Sequence, residues 1–205
     1  MEGKGDGVTN MARDVDLLKR AESGVGGARI YFWESVWVTL GNSQVASDVL
    51  LDLSVPHVVR PTGGAAVLHG HDLTLGIAMP LSALGCEGRE VKKAFLGLTR
   101  PILAALNAVG IPAVLGRDLA GRGAVDSPYC FGMKSDYDVL RADTGEKICG
   151  CAMKVSRYAA LVQASIPIGE PLVEPSRVVR DYVETPASVF DLDGFVAALR
   201  DGIGV

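Results

Sequence analysis

The chain has 205 residues, 48% apolar and 21% charged, with a formal net charge of −4. That length holds one domain with a real core, and a mildly acidic, well-mixed charge gives no electrostatic reason to bind nucleic acid or an anionic membrane surface. No run approaches the roughly 18 apolar residues of a membrane span and no apolar secretion signal opens the chain, so the expected setting is the cytoplasm, with Cys86, Cys130, Cys149 and Cys151 as reduced thiols.

Residues 1–9 read as a flexible tail and 10–205 as a single domain. Asn10 suits an N-cap for a short helix over 11–21, with Met11, Val15 and Leu18 on one face. Residues 28–33 and 36–41 read as strands joined by Glu34-Ser35, and Trp33 and Trp37 are candidates for core or pocket wall. Further strands are predicted at 55–59, 66–69 and 73–79. Between the first and last of these lies Arg60-Pro61-Thr62-Gly63-Gly64, a bare backbone beside a permanently charged donor fork. It reads either as a plain turn or as a loop lying against an elongated small molecule with an anionic head.

The clearest helical pattern covers 88–109, where Val91, Phe95, Leu98, Ile102, Leu106 and Val109 recur at three- and four-residue spacing. Pro101 predicts a kink or a division within it. A short strand at 111–115 precedes a polar, glycine-rich stretch, 116–127, expected to be a mobile loop of the kind that carries binding residues. Strands follow at 137–141, 147–153 and 160–166, the first two joined by a hairpin at Asp143-Thr144-Gly145. Short helices are predicted from about Ser176 and over 191–200. The elements do not alternate β-α-β, which predicts an α+β domain with a mixed or antiparallel sheet.

Few residues carry chemistry outright. Lys147, opening a strand, is either solvated or an ammonium aimed into a glycine-lined pocket. Cys130 is either a small buried hydrophobe or a nucleophile needing a nearby cation such as Lys147. Cys149 and Cys151 should share one face of a strand, and His69 and His71 form a second short pair. Neither has the further ligands a zinc site needs, and no metal is expected. Walker-type and Gly-x-Gly-x-x-Gly phosphate loops and a Gly-x-Ser-x-Gly elbow are missing from the sequence.

Five segments stand out, the two long ones from Arg60 and from Gly145 being specific, and their order and spacing argue against coincidence. They are Asn10-Met11-Ala12-Arg13-Asp14, Val38-Thr39-Leu40-Gly41-Asn42-Ser43-Gln44, Arg60 through His69 with His71-Asp72-Leu73-Thr74, Cys130-Phe131 with Ser135-Asp136-Tyr137-Asp138, and Gly145-Glu146-Lys147-Ile148-Cys149-Gly150-Cys151-Ala152. Over about 10–168 the chain resembles the biotin/lipoate protein ligase superfamily, in its lipoate ligase and octanoyltransferase branch. The resemblance implies a mixed central β-sheet flanked by helices, as in class II synthetase and biotin protein ligase catalytic domains, with a tunnel for a medium-chain acyl group. It implies Cys130 and Lys147 as the catalytic pair. It also implies that Arg60, Thr62, Gly63, Gly64, Ala65, Val67, His69, Gly150 and Ala152 contact substrate.

Two chemistries fit that resemblance. An octanoyltransferase takes the acyl group from acyl carrier protein onto a cysteine and passes it to a lysine of an acceptor, such as glycine cleavage H protein or a 2-oxoacid dehydrogenase E2 lipoyl domain, with no cofactor. A lipoate ligase activates lipoate with ATP and Mg. The Cys130 segment and the Arg60-Pro61-Thr62 opening favour the transferase. Three departures stand out: Ala65 where the family has Arg or Gly, Cys151 and Met153 where it has Ser and Gln, and Val162-Gln163-Ala164-Ser165 without a His-Gly pair. These leave a catalytically silent acyl- or carrier-binding protein as a third reading.

Overall fold

The computed structural model describes residues 2–119, 126–133 and 135–204. Its first elements are β1 (Lys4–Gly5) and α1 (Gly7–Glu22), so residues 4–5 and 7–9 are regular structure rather than the expected tail. The cap is Asp6, whose carboxylate accepts from Thr9 N at 2.8 Å and Thr9 Oγ1 at 2.7 Å. Asn10 lies inside the helix, with Nδ2 donating to the Gly5 carbonyl at 3.2 Å. An N-cap carboxylate satisfies first-turn amides that Asn10 would reach only by shortening the helix.

Next come β2 (Gly27–Trp33), β3 (Trp37–Leu40), the single turn α2 (Ala46–Val49), β4 (His57–Val59), β5 (Val67–His69) and β6 (Asp72–Pro80). After α3 (Val91–Ala108) the chain forms β7 (Ala113–Leu115), β8 (Val139–Arg141), β9 (Lys147–Val155), β10 (Ala159–Pro167) and α4 (Leu192–Ile203). A seven-stranded sheet runs β1-β2-β6-β10-β9-β8-β7, and a three-stranded sheet runs β4-β3-β5. Both are mixed, because β1 pairs parallel with β2 and β4 parallel with β3 while the other pairs are antiparallel. The fold is therefore α+β, a mixed sheet flanked by helices.

Two sequence expectations change, and a third falls partly outside the described residues. α3 is one helix with Pro101 inside it and is not divided. The helix expected near Ser176 is a single 3-10 turn, Pro175–Arg177. Of the stretch 116–127, Gly116–Asp118 forms a 3-10 turn, and 120–125 lie outside the described residues.

Strand β10 explains how the sheet is covered, since side chains alternate across it. Ala160, Val162, Ala164 and Ile166 face the main core, where Leu98, Ile102 and Leu106 of α3 and Phe195 and Leu199 of α4 pack. Each fully buried aliphatic side chain there contributes about 2 kcal/mol. On the other face, Ala159 and Leu161 meet Leu17, Leu18 and Ala21 of α1. Gln163, which meets Met11 and Asp14 of α1, and Ser165 continue that face, and both are buried polar groups. No helix among the described residues is long and apolar enough to cross a membrane.

Candidate active site

Cys130 opens a 3-10 turn, Cys130–Gly132, held to the end of the glycine loop by Cys130 N donating to Ala66 O at 2.8 Å. It is 7% exposed. Lys147 starts β9 and is 9% exposed, so it is not the solvated lysine that its place in the sequence allowed. Its Nζ donates to Cys130 O at 2.6 Å and Met133 O at 3.4 Å, sits 2.8 Å from Asp138 Oδ1, and lies 3.7 Å from Cys130 Sγ. Burial pulls its pKa down, but Cys130, Asp138 and Cys151 outweigh burial and the pKa is raised. Lys147 is accordingly a cation at neutral pH, an electrostatic partner for sulfur and not a base.

The loop from Arg60 has a backbone reason for its glycines. Gly64 has φ +82, a conformation costly for L side chains. A Cβ on Gly41, at the end of β3, would lie 1.8 Å from the Gly64 carbonyl oxygen. Gly41→Ala is therefore expected to cost about 3 kcal/mol and lower Tm by roughly 6–12 °C in a thermal melt. An unchanged Tm would show that the contact yields freely. At Gly150 a Cβ would stand 2.8 Å from Cys130 Sγ, so glycine there leaves room for the thiol.

Arg60 corrects its expected role. Its guanidinium is 4% exposed and donates to Gly63 O, Ala65 O at 2.8 Å, Thr39 O at 3.3 Å and Thr62 Oγ1 at 3.0 Å. The fork is spent on the loop's own carbonyls and is not a free anion receptor. Burial lowers its pKa to about 10 against a smaller upward pull from Cys130, which leaves it charged. Thr62 Oγ1 in turn donates to Gln163 Oε1 at 2.7 Å, and Gln163 Nε2 to Asp14 Oδ2 at 2.6 Å. Asp14 is fully buried, ion-paired to Arg29 and hydrogen-bonded by Tyr31 Oη at 2.9 Å. Burial nonetheless raises its pKa.

A second polar cluster joins the two sheets. Asp72 Oδ2 accepts from His69 Nδ1 at 2.7 Å, Thr74 Oγ1 at 2.8 Å and Ser165 Oγ at 2.7 Å. His69 Nε2 is 2.8 Å from Thr39 Oγ1, and the Trp33 ring stacks on His69 at 4.0 Å. Burial alone would raise the Asp72 pKa, but His69, Ser165 and His71 bring it to about 2. A depressed carboxylate contributes stability above its unfolded value of 3.8, which is lost as pH falls toward 2. In urea titrations, the deficit of Asp72→Asn against wild type should narrow by about 2 kcal/mol from pH 6 to pH 2. Asp14 is present in both proteins and cancels. A constant deficit would mean that Asp72 does not act through its charge.

These parts line a partly open pocket of only about 30 Å³, well below the roughly 300–1,000 Å³ usual for small-molecule sites, so a medium-chain acyl group enters only as the walls move apart. Of the residues expected to contact substrate, Arg60, Val67, His69, Gly150 and Ala152 line it, together with Cys130. Thr62, Gly63, Gly64 and Ala65 do not reach the cavity surface and act as its frame, and Lys147 reaches it only through Cys130. Trp33 lines it and Trp37 does not. Met11, Tyr31, Thr39, Gln163 and Ser165 are walls that motif reading missed. Strand pairing puts Ala152 opposite Gln163 and Gly150 opposite Ser165, on one face.

Cys149 and Cys151 do share a face, with their sulfurs 3.7 Å apart, but Cys149 lies in the core under α3 and α4. The Cys151 hydrogen bond and burial push the Cys149 pKa well above its usual value. No group of three or more His, Cys, Asp or Glu among the described residues is placed to hold a metal ion.

The family description "Lipoyl protein ligase A/B catalytic domain" matches residues 6–193. Octanoyltransferase LipM of Kyrpidia tusciae is 30% identical over 215 residues, covering 94% of this chain and 77% of that protein. Other proteins of the same name match at 28–33% identity, and the chain spans only 53–61% of their length. Among solved structures, protein Ta0514 of T. acidophilum with bound lipoic acid superposes with a TM-score of 0.74 at 22% identity, covering 100% of this chain and 85% of that one. A bipartite lipoate protein ligase with its E2 lipoyl domain, from Thermoplasma acidophilum, gives 0.68 at 21%, covering 100% and 83%. At those identities the structures establish the shared fold.

Proposed function

Because the chain belongs to the lipoyl protein ligase A/B catalytic-domain family, we propose that it is an acyltransferase that moves an octanoyl group through a Cys130 thioester onto a lysine of a lipoyl-acceptor domain. The observation that carries this reading is the Cys130 sulfur 3.7 Å from a buried, charged Lys147 at the edge of an apolar cavity. In the first step the Cys130 sulfur attacks the carbonyl of an octanoyl thioester on acyl carrier protein. The new C–S bond forms, the old one breaks, and the carrier thiol leaves with a proton. In the second step the neutral amine of the acceptor lysine attacks the same carbonyl, an amide forms, and Cys130 is released as a thiol.

Lys147 supplies positive charge where oxygen becomes anionic in both steps. The protein's other contribution is to hold the acyl chain so that both steps are effectively unimolecular. No ATP is needed, because the thioester already carries the activation. The acceptor class is that of the neighbour whose structure includes an E2 lipoyl domain.

The test is octanoyl transfer from octanoyl carrier protein to a purified lipoyl domain, read by acceptor mass. Transfer without ATP supports the proposal. Transfer of free lipoate or octanoate only when ATP and Mg are added would mark an adenylate-forming ligase. No modification under either condition would mark a binding protein.

A further inference from the structure

Lys147 has three protons and an uneven set of partners. Asp138 Oδ1 at 2.8 Å and Cys130 O at 2.6 Å take two of them firmly. The third direction is shared between Met133 O at 3.4 Å and Cys130 Sγ at 3.7 Å, and so is the one open to an incoming carbonyl oxygen. Asp138 is itself fixed: Oδ2 accepts from Ser135 N at 2.7 Å, its carbonyl accepts from Gly116 N at 2.8 Å, and it is 6% exposed. Among the described residues it is the one carboxylate paired with Lys147.

In the free enzyme, Lys147 faces the Cys130 sulfur as well as Asp138. Once that sulfur is esterified it carries no negative charge, and the carboxylate is left to hold a buried ammonium alone. Resting on the acyltransferase reading for its catalytic consequence, we propose that Asp138 is a positioning residue that keeps Lys147 charged and aimed at the acyl carbonyl after Cys130 has been acylated. It thereby serves the second half of the reaction more than the first. In that half the acceptor amine forms the C–N bond, the C–S bond breaks, and the electron pair returns to the Cys130 sulfur with the amine's proton.

Among the described residues, the other titratable or charged groups acting on Lys147 or Cys130 are Cys149 and Cys151 on β9, Arg60 in the glycine loop and Tyr129 before the turn, and none of these is a carboxylate. With Asp138 removed, burial acts on Lys147 with less opposition, so its ammonium should be lost at lower pH.

Two measurements test this. In protein alkylated at Cys130 with iodoacetamide, which leaves a neutral thioether, Lys147 is titrated by NMR of 13C-labelled lysine. Wild type and Asp138→Glu should titrate alike, and Asp138→Asn should titrate at least about one pH unit lower. Identical titration in Asp138→Asn would overturn the proposal. This arm uses no acyl donor. A shift seen in a protein that never accepts octanoate would therefore leave the inference standing and sink the acyltransferase reading instead.

In single-turnover acyl transfer, Asp138→Asn should slow deacylation about tenfold while acylation stays within about threefold. Equal slowing of both steps would reduce Asp138 to a structural role. Should Asp138→Asn not fold, the same change in a Lys147→Gln background decides. Deacylation within about twofold of Lys147→Gln alone is expected, and a further tenfold loss would show that Asp138 acts without Lys147.

Discussion

Cys130→Ser should abolish octanoyl transfer, with a loss of roughly three orders of magnitude or more, in a protein that still folds. Serine keeps the size of the side chain and the backbone bonds of the 3-10 turn, where Cys130 N donates to Ala66 O and Met133 N to Cys130 O. It also preserves the contacts of Tyr129 and Phe131 in the neighbouring apolar cluster. What changes is the reacting atom. A hydroxyl beside a single ammonium is not ionised at neutral pH, and it forms an ester that is less reactive toward amines than a thioester. Acceptor modification followed by mass spectrometry, with circular dichroism to confirm folding, measures the effect. Retention of more than a tenth of wild-type transfer would remove Cys130 from the chemistry.

Lys147→Gln comes second in size. Loss of a preorganised positive group at a developing oxyanion costs about 100- to 1,000-fold in kcat. The effect should appear in kcat, with KM for the octanoyl carrier changed by no more than about threefold, because Lys147 does not line the cavity that holds the chain. Stability should also fall by about 3–5 kcal/mol, since Asp138 then loses its buried partner. The two effects separate by assaying well below the variant's melting temperature. A variant that lost stability but kept kcat would make Lys147 a strut for the 130–138 segment, to which it is bonded at Cys130 O, Met133 O and Asp138.

Much of this was readable from the amino acids, for physical reasons that differ by element. Strand runs separated by glycine, and the three- and four-residue spacing across 88–109, gave the α+β class directly, because burial imposes those periods. Glycines at 3, 5 and 7 resemble a loose tail and hide the start of α1, while the cap that decides it is Asp6. Arg60 lines the pocket, but its donors serve the loop's own carbonyls. A charged fork near glycines suggests a bound anion, but whether its donors are free depends on the loop's carbonyls turning inward, which only the φ of +82 at Gly64 reveals.

The cavity walls contributed by β10 were invisible for another reason. Every residue of β10 is buried, so burial marks neither face as the pocket side. Pairing with Gly150 and Ala152 is what selects Gln163 and Ser165. Asp138 and Lys147 are joined through the β8–β9 hairpin, whose pairing of Leu140 with Lys147 brings β8 alongside the lysine. No local spacing announces that partnership.

The central claim is that the acyl group rests on the Cys130 sulfur between donor and acceptor. It is tested most directly by isolating the protein after brief exposure to octanoyl carrier protein, mapping the adduct by peptide mass spectrometry, and then adding lipoyl domain. The account predicts a hydroxylamine-sensitive octanoyl group on the peptide containing Cys130, which disappears as the acceptor lysine gains the same mass. An adduct that persists when acceptor is added, or acceptor modification with Cys130 never occupied, would contradict it.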